Sequence, residues 1–319
     1  MVKINDIYFS DMYVTPAKEA YIPDSQTRFG LIRFEPEDFE EFYTLLENSY
    51  IDNTSYSVIY GGVLFRVERS MTMYGPQYCM RKMPKQVPSI TQLGFDPRLV
   101  SHLMTLSTAS GLIIWAGPTG SGKTTAISSL MKEFLIKEGG FAYTIEDPAE
   151  MPLDGEYKAM NGSLGLCKQT LAINDNWGTQ LKSALRSKPR YIMVGEIRTP
   201  ECASECLRAA TSGHLVLSSI HANNITDAIN SIVKYASSSD MSETLAYELI
   251  SRGILCVIHQ TLQGREKKYP EISYMFANAD TTKGDQVRAI IKSGKINLAT
   301  VIEQQKNRLL QGRPICAEI

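Results

Sequence analysis

The octapeptide at residues 117–124 constrains the fold of this chain more than any other stretch. It reads Gly-Pro-Thr-Gly-Ser-Gly-Lys-Thr and matches the phosphate-binding loop, or P-loop, at every required position. The apolar run at residues 112–116 precedes it and predicts a buried strand, and apolar residues at helical spacing follow it. A strand, this loop and a helix in that order favour phosphate binding over a fortuitous glycine-rich turn.

The residue types of the loop fit a nucleoside triphosphate. Glycines let backbone N–H groups close around phosphate oxygens, and a helix N-terminus adds a partial positive charge. Lys123 would place a positive charge on the β- and γ-phosphates, and Thr124 would give its hydroxyl to a bridging Mg²⁺. We therefore predict ATP and Mg²⁺ as cofactors, with the metal on Thr124. The predicted ATP-binding residues are Gly117, Pro118, Thr119, Gly120, Ser121, Gly122, Lys123, Thr124 and Thr125.

A second predicted strand, at residues 191–194, ends in Gly195-Glu196. Many P-loop enzymes have an aspartate at this place that holds Mg²⁺ through water. Because position 195 is glycine here, Glu196 is the acid at the strand tip, placed to orient or deprotonate an attacking water. A surface glutamate without a catalytic role is the alternative.

Three carboxylates, Glu146, Asp147 and Glu150, follow a predicted strand at residues 141–145. If that strand neighbours the P-loop strand, the carboxylates would crowd a Mg²⁺–ATP site. Asp147 before Pro148 is equally typical of a residue that starts a turn.

His221 follows a further predicted strand, at residues 214–219. At the carboxyl end of that strand it could contact the γ-phosphate or sense its presence. A histidine that only packs against its neighbours is the alternative, although two of the four histidines flank this one strand.

Apolar strands alternate with helices from about residue 99, which is typical of an α/β fold with a parallel sheet whose ligands bind at the carboxyl ends of the strands. The residues before this region do not show the same alternation of strands and helices. A helix is predicted at residues 38–48 and a hairpin at 62–83 with its turn at Gly75-Pro76, and the last fifty residues read as helical and polar. We predict two domains, residues 1–90 and 91–319.

The amino-acid composition limits which classes of partner the chain can bind. The formal net charge is −1 and the sequence pI about 6.5, so the chain lacks the basic excess that neutralises nucleic-acid phosphates, and we expect no direct binding to duplex DNA. No apolar run approaches the roughly 20 residues of a membrane-spanning helix, and the first residues lack a signal peptide's apolar region. A cytoplasmic location is expected. The six cysteines lack zinc-ligand spacing, and we expect reduced thiols packed as small apolar groups.

Four motifs in order resemble the secretion ATPase superfamily, which includes pilus retraction motors (PilT), pilus assembly and type II secretion ATPases, and type IV secretion ATPases. The motifs are the P-loop, the acidic box Thr144-Ile145-Glu146-Asp147-Pro148-Ala149-Glu150, the pair Gly195-Glu196 and the histidine box that ends at His221. The resemblance implies a RecA-like P-loop domain behind a smaller, PAS-like α+β N-terminal domain.

The resemblance also implies residue roles and an assembly. Family members are ring hexamers in which the N-terminal domain sits over the ATP site of an adjacent P-loop domain. By that similarity Arg66 and Arg81 would reach the ATP and neutralise charge on the transferred phosphoryl group, with ordinary strand arginines as the alternative. The stretch at residues 5–9 is similar to the family's opening strand.

Residues 184–196 most resemble the DotB/TraJ branch, which serves type IVB secretion and conjugation, with PilT as the next candidate. The tetracysteine zinc module of many assembly and type II ATPases is absent, and so is the retraction motors' Ala-Ile-Arg-Asn-Ala-Lys segment. The resemblance therefore implies a homo-hexameric ATPase that powers a type IVB secretion or conjugation system, recruited to the inner membrane by that machine's components. A pilus retraction motor is the alternative within the family. A nucleotide-gated scaffold and a nucleic-acid motor are rival classes, and Lys123 with Glu196 disfavours the scaffold.

Overall fold

The computed structural model describes residues 2–27, 29–52, 54–172, 176–264, 268–280 and 284–316. They form two compact units. The first takes in the described residues of Met1–Val87, Asp147–Pro152 and Leu171–Asn174. The second takes in the described residues of Pro88–Glu146, Leu153–Thr170 and Asp175–Ile319.

The first unit is an antiparallel sheet with one helix against it. Its strands are β1 (Asp11–Val14), β2 (Ala20–Pro23), β3 (Leu31–Phe34), β4 (Ser55–Tyr60), β5 (Val63–Thr72) and β6 (Gly75–Lys82), and they lie in the order β3-β2-β1-β6-β5-β4. Helix α1 (Phe39–Asn48) buries Phe42, Tyr43 and Leu46, which helical spacing places on one face. The main apolar cluster of this unit consists of buried residues between Ile4 and Met80.

Two sequence predictions for this unit are wrong in detail. Residues 5–9 are a turn and irregular chain rather than an opening strand, and the first strand is β1. The hairpin turns at Met73-Tyr74, two residues before the predicted position, so that Thr72 pairs with Gly75. The Thr72 hydroxyl accepts from the Tyr74 N–H at 3.2 Å and donates to the Gly75 carbonyl at 2.8 Å, which closes the turn at the earlier pair.

The second unit contains an eight-stranded sheet in the order β14-β13-β7-β12-β11-β8-β10-β9. The strands are β7 (Gly111–Ala116), β8 (Gly140–Glu146), β9 (Gly155–Lys158), β10 (Leu164–Leu171), β11 (Tyr191–Val194), β12 (Leu215–Ile220), β13 (Ile254–Gln263) and β14 (Tyr269–Phe276). The helices are α2 (Pro97–Thr105), α3 (Lys123–Glu138), α4 (Trp177–Arg186), α5 (Pro200–Thr211), α6 (Ile225–Ser237), α7 (Glu243–Gly253), α8 (Gln286–Lys292) and α9 (Ala299–Leu310).

Five central strands pair in parallel in the order β13-β7-β12-β11-β8, as in a RecA-like P-loop domain. Every residue of β7 and of β12 is buried, which explains why both read as continuous apolar runs. The predicted α/β class with a parallel core is confirmed.

The sheet order shows whether the strand before the acidic residues neighbours the P-loop strand. Strand β8, which precedes the acidic residues, does not neighbour the P-loop strand β7, because β11 and β12 lie between them. Glu146, the last residue of β8, therefore lies beside β11 rather than beside the P-loop strand.

The last fifty residues, which were predicted to be helical and polar, also differ from that prediction. Strand β14 begins one residue before the last fifty and pairs antiparallel with β13 from Gln263↔Tyr269 to Cys256↔Phe276. Helices α8 and α9 follow it. Alternation along β14 is weak, because its first residues are exposed or half-buried and only its last three are buried.

The described cysteines are free thiols, and Cys167, Cys202, Cys206 and Cys256 are buried. Burial raises the pKa of the Cys167 thiol to about 12. No helix in the described ranges is long and apolar enough to span a membrane.

Candidate nucleotide site

The P-loop joins the carboxyl end of β7 to the first turn of α3. Gly122 caps this helix in the left-handed region, with φ of 86°, and among the described residues no side chain caps the first turn and no acid lies in it. Glycine has no side chain that could cap the N–H groups of that turn, and the helix dipole adds positive potential there. Such a helix end fits an anionic ligand.

Lys123 is the first residue of α3 and only 9% exposed. Its Nζ donates to the backbone carbonyls of Gly117 and Pro118, at 2.9 Å each. Two backbone oxygens of the loop thus hold the ammonium group inside the loop. A phosphate that enters the loop meets this charge at once, so the residues present fit a triphosphate.

Two glycines of the loop serve different needs. Gly117 has φ of +147°, and a Cβ there would lie 2.2 Å from the backbone oxygen of Gln260. Glycine is therefore required because two backbone segments approach closely at this position. Gly120 has φ of +75°, and a Cβ there would meet none of the described atoms within 4 Å. The backbone conformation, rather than crowding, favours glycine at that second position.

Glu196 lies between two residues that are tied to neighbouring strands. Gly195 donates its N–H to the Ile145 carbonyl at 2.9 Å, and its own carbonyl accepts from the Ser219 hydroxyl at 2.6 Å. On the other side, the Ile197 N–H donates to the Ser219 carbonyl at 2.8 Å. The backbone that carries Glu196 is therefore fixed to β8 and β12, while its side chain remains partly exposed.

Glu146 ends β8 beside this strand tip. A Cβ added at Gly195 would lie 3.5 Å from Glu146 Cγ, so the two strand ends are in direct proximity. Glu146 is 2% exposed, and its Oε1 accepts from the Thr144 hydroxyl and from Gln169 Nε2, at 2.8 Å each. The fold thus brings Glu146 next to the segment that carries Glu196.

His221 follows the last residue of β12, Ile220, whose carbonyl accepts from the Gly117 N–H at 3.3 Å. His221 therefore directly follows the residue that is hydrogen-bonded to the first residue of the P-loop. Its side chain is exposed. His214, at the other end of β12, forms a 2.7 Å hydrogen bond between Nδ1 and the Pro189 carbonyl, which is a structural contact.

The remaining candidates belong to the first compact unit. Arg66 Nη1 lies 3.2 Å from Glu150 Oε1, and Arg81 Nε lies 2.9 Å from Asp11 Oδ1. The Asp147–Pro152 segment clusters with this unit, and the Asp147-Pro148 bond is cis. Glu150 is therefore the ion-pair partner of Arg66.

Sequence reasoning missed two amide side chains. Gln169 on β10, which is half-buried, bridges Glu146 and the Leu153 N–H, which donates to Gln169 Oε1 at 3.2 Å. Gln260 on β13 contacts the P-loop itself. The available signal for Gln260 was a glutamine within an apolar strand, since a buried amide requires hydrogen-bond partners.

Comparison with known proteins places this geometry in a family. The family model described as type II/IV secretion system protein matches residues 52–309. That range holds the P-loop and the strand tips described above. The chain belongs to this family.

The chain is 35% identical over 167 residues to the type IV pilus assembly ATPase TfpB of Acinetobacter baylyi. The match covers 51% of the present chain and 27% of TfpB, so the chain spans about a quarter of that relative's length.

Two solved structures share the fold over nearly the whole chain. One is the pilus retraction motor PilT with bound ADP, at a TM-score of 0.71 and 23% identity, covering 99% of this chain and 91% of PilT. The other is the ATPase DotB of Legionella pneumophila, at a TM-score of 0.70 and 19% identity, covering 96% and 88%. These likenesses establish the fold of the chain.

Proposed function

We propose that this protein is a hexameric ATPase that hydrolyses ATP to power a type IVB secretion or conjugation system. The observation that carries the proposal is a P-loop with a buried Lys123 at the same carboxyl end of the parallel strands as Glu196. The two residues that flank Glu196 are both hydrogen-bonded to neighbouring strands. Binding of a triphosphate and activation of water require these two features together.

In this mechanism Lys123 and the N-terminal turn of α3 bind the β- and γ-phosphates. Thr124 would hold Mg²⁺ through its hydroxyl, and the metal supplies neutralisation of phosphate charge when bound. Among the described residues no three His, Cys, Asp or Glu side chains cluster as a metal cage, so the donors proposed for the ion are Thr124 and phosphate oxygens.

Glu196 is proposed to accept the proton of the attacking water. Glu146, Asp147, Glu150 and His221 are proposed to shape the surroundings of the γ-phosphate. In a ring, Arg66 and Arg81 of an adjacent subunit would neutralise charge that develops on the phosphoryl group. Movement of the N-terminal unit as a rigid body would then be the mechanical output.

Hexamer formation, cytoplasmic location and recruitment to the inner membrane through components of the machine are parts of the same proposal. The likeness to DotB supports the secretion branch, and the likeness to PilT supports a pilus retraction motor as the second candidate. Duplex DNA is not proposed as a partner, because the net charge is −1.

The biochemical part is tested with three variants. We expect Lys123→Ala to lose Mg²⁺-dependent ATP binding in calorimetry, and Glu196→Gln to bind ATP like the parent but release phosphate at least about a hundredfold more slowly. Glu201→Gln is the matched control, because Glu201 is an exposed acid five residues further along. Retained hydrolysis in Glu196→Gln would remove Glu196 from its role, and retained binding in Lys123→Ala would refute the site.

The choice of machine is tested in the source organism. We expect a clean deletion to abolish secretion or conjugation, and Glu196→Gln to fail to restore it. Accumulation of unretracted pili in the deletion strain would instead favour the retraction motor.

A further inference from the structure

Gln260 is a buried polar residue near the end of the apolar strand β13, with 4% of its surface exposed. In the ladder between β13 and β7 the last pair is His259 with Ala116. Gln260 therefore lies where β7 turns into the P-loop. A buried amide at this place requires partners for both its oxygen and its nitrogen.

Both partners are present. The Trp115 indole Nε1 donates to Gln260 Oε1 at 2.7 Å, and Gln260 Nε2 donates to the backbone carbonyl of Ser121 at 2.6 Å. The indole N–H can only donate and the carbonyl can only accept. The orientation of the amide is thus determined by chemistry, with its N–H directed at the P-loop.

This contact fixes one peptide plane of the loop. Because a trans peptide unit is planar, its C=O and N–H point in opposite directions. The Ser121 carbonyl points at Gln260, so the N–H of Gly122 points away from Gln260. Gly122 is the N-terminal cap of α3 in the left-handed region, the conformation in which successive N–H groups converge on an anion.

Gln260 also borders the start of the loop. Its backbone oxygen would lie 2.2 Å from a Cβ at Gly117, and its Nε2 would lie 2.9 Å from a Cβ at Gly122. One residue therefore contacts the loop near both ends of the turn. A side chain at either glycine would therefore collide with Gln260.

We propose that Gln260 is a positioning residue that holds the P-loop in its phosphate-binding conformation by fixing the Ser121–Gly122 peptide. Gln260 acts through the loop and through the strand residue Trp115. This inference rests on the proposed nucleotide-binding function of the same loop.

A purely structural role for Gln260 has a matched control in Gln305. Gln305 is 5% exposed and also makes two hydrogen bonds: its Oε1 accepts from the Phe276 N–H at 2.8 Å, and its Nε2 donates to the Phe276 carbonyl at 2.7 Å. Its partner, at the end of β14, is outside the nucleotide site. Loss of either amide should destabilise the fold to a similar extent, because each loss leaves buried groups unpaired.

The experiment compares Gln260→Met with Gln305→Met in the full chain. We expect similar drops in melting temperature, since methionine keeps the volume and removes the amide. We expect the Kd for Mg²⁺–ATP, measured by calorimetry, to rise about tenfold in Gln260→Met and to stay at the parent value in Gln305→Met. Saturating ATP should accordingly raise the melting temperature less in Gln260→Met.

A second variant decides the matter if Gln260→Met does not fold. Gln260→Glu keeps the acceptor for the indole N–H and removes the donor to the Ser121 carbonyl. Measured at high salt, where screening limits repulsion between the new carboxylate and ATP, it should also bind ATP about tenfold more weakly.

The outcomes separate the two proposals. If the parent binds and hydrolyses ATP while the Gln260 variants bind it as tightly as Gln305→Met, the positioning role is refuted and the ATPase function stands. If the parent binds no ATP, the ATPase function is refuted and the positioning role with it.

Discussion

Arg66 and Arg81 are direct cross-strand partners on β5 and β6. Like charges at such a pair lie about 5 Å apart at Cβ and repel each other. Each arginine is paired instead with a carboxylate, Glu150 or Asp11. Because the Arg81 side chain is 63% exposed, its ion pair contributes little to stability.

We expect Arg81→Ala to lower ATP turnover about a hundredfold or more while changing the Kd for ATP by less than about threefold, because a transition-state contact affects kcat before affinity. Phosphate release and calorimetry measure the two quantities. Arg33→Ala is the control, since Arg33 is a 57% exposed strand arginine that also pairs with acids. Equal turnover in the two variants would assign Arg81 to the surface.

For single residues, the sequence predicts contacts between positions close in the chain and misses contacts between distant positions. The P-loop residues were recognisable because eight consecutive positions carry the whole pattern. The Gln260 contacts join residues 139 and 145 positions apart, and the Gln169 contact to Glu146 spans 23. Only the three-dimensional sheet order brings those amides to their partners.

Helix α5 begins four residues after the proposed catalytic glutamate, and its N-terminal cap is Thr199, whose hydroxyl accepts from the Cys202 N–H at 3.2 Å. We expect Thr199→Ala to lower the free energy of unfolding by about 1 kcal/mol in urea titrations, with an unchanged m value. Thr199→Ser keeps the hydroxyl and should match the parent. A loss of stability in the serine variant as large as in alanine would point to the methyl group instead.

Helix α2 carries a histidine with a pH-dependent effect on stability. His102 packs edge-on against Phe276, with ring centroids 4.6 Å apart, and burial lowers its pKa. The unfolded chain therefore binds a proton below about pH 6.5 that the folded chain resists. Stability contributed by the neutral ring is present above that pH and is lost as the pH falls from about 6.5 through the lowered pKa.

We expect the melting temperature of the parent to fall more between pH 7.5 and pH 5.5 than that of His102→Leu, which cannot titrate. Burial also lowers the pKa of His259, and both proteins retain that group, so the difference between them isolates His102. Parallel melting curves across this pH range would contradict the assignment.

Element types followed from the sequence more reliably than element ends. Continuous apolar runs identified β7 and β11, and helical spacing identified α1. The turn before Gly75 and the strand β14 were missed for physical reasons: a side-chain hydroxyl closes the turn, and β14 owes its place to the backbone of β13.

At the scale of the whole molecule, the order of the sheet was the least predictable feature. Apolar runs identify strands without giving their neighbours, so nothing in residues 141–145 shows that two strands separate β8 from β7. The α/β class was predictable because alternation of strands and helices permits few other arrangements.

The first compact unit has a core drawn from residues between Ile4 and Met80. We therefore expect a fragment of residues 1–87 to fold alone and to melt cooperatively in circular dichroism. The same fragment with Val67→Asp should remain unfolded, because Val67 is fully buried. A gradual, non-cooperative melt of the unsubstituted fragment would show that its core needs later segments.

Arg66 takes its carboxylate partner, and Ser57 its carbonyl partner at 3.4 Å, from the Asp147–Pro152 segment, more than eighty positions along the chain. A chimaera made by exchanging only the first 87 residues with those of a relative would inherit a foreign surface opposite Glu150. Natural recombination at that junction faces the same mismatch. Both stretches should therefore have been inherited together, and an engineer who transplants one must transplant the other.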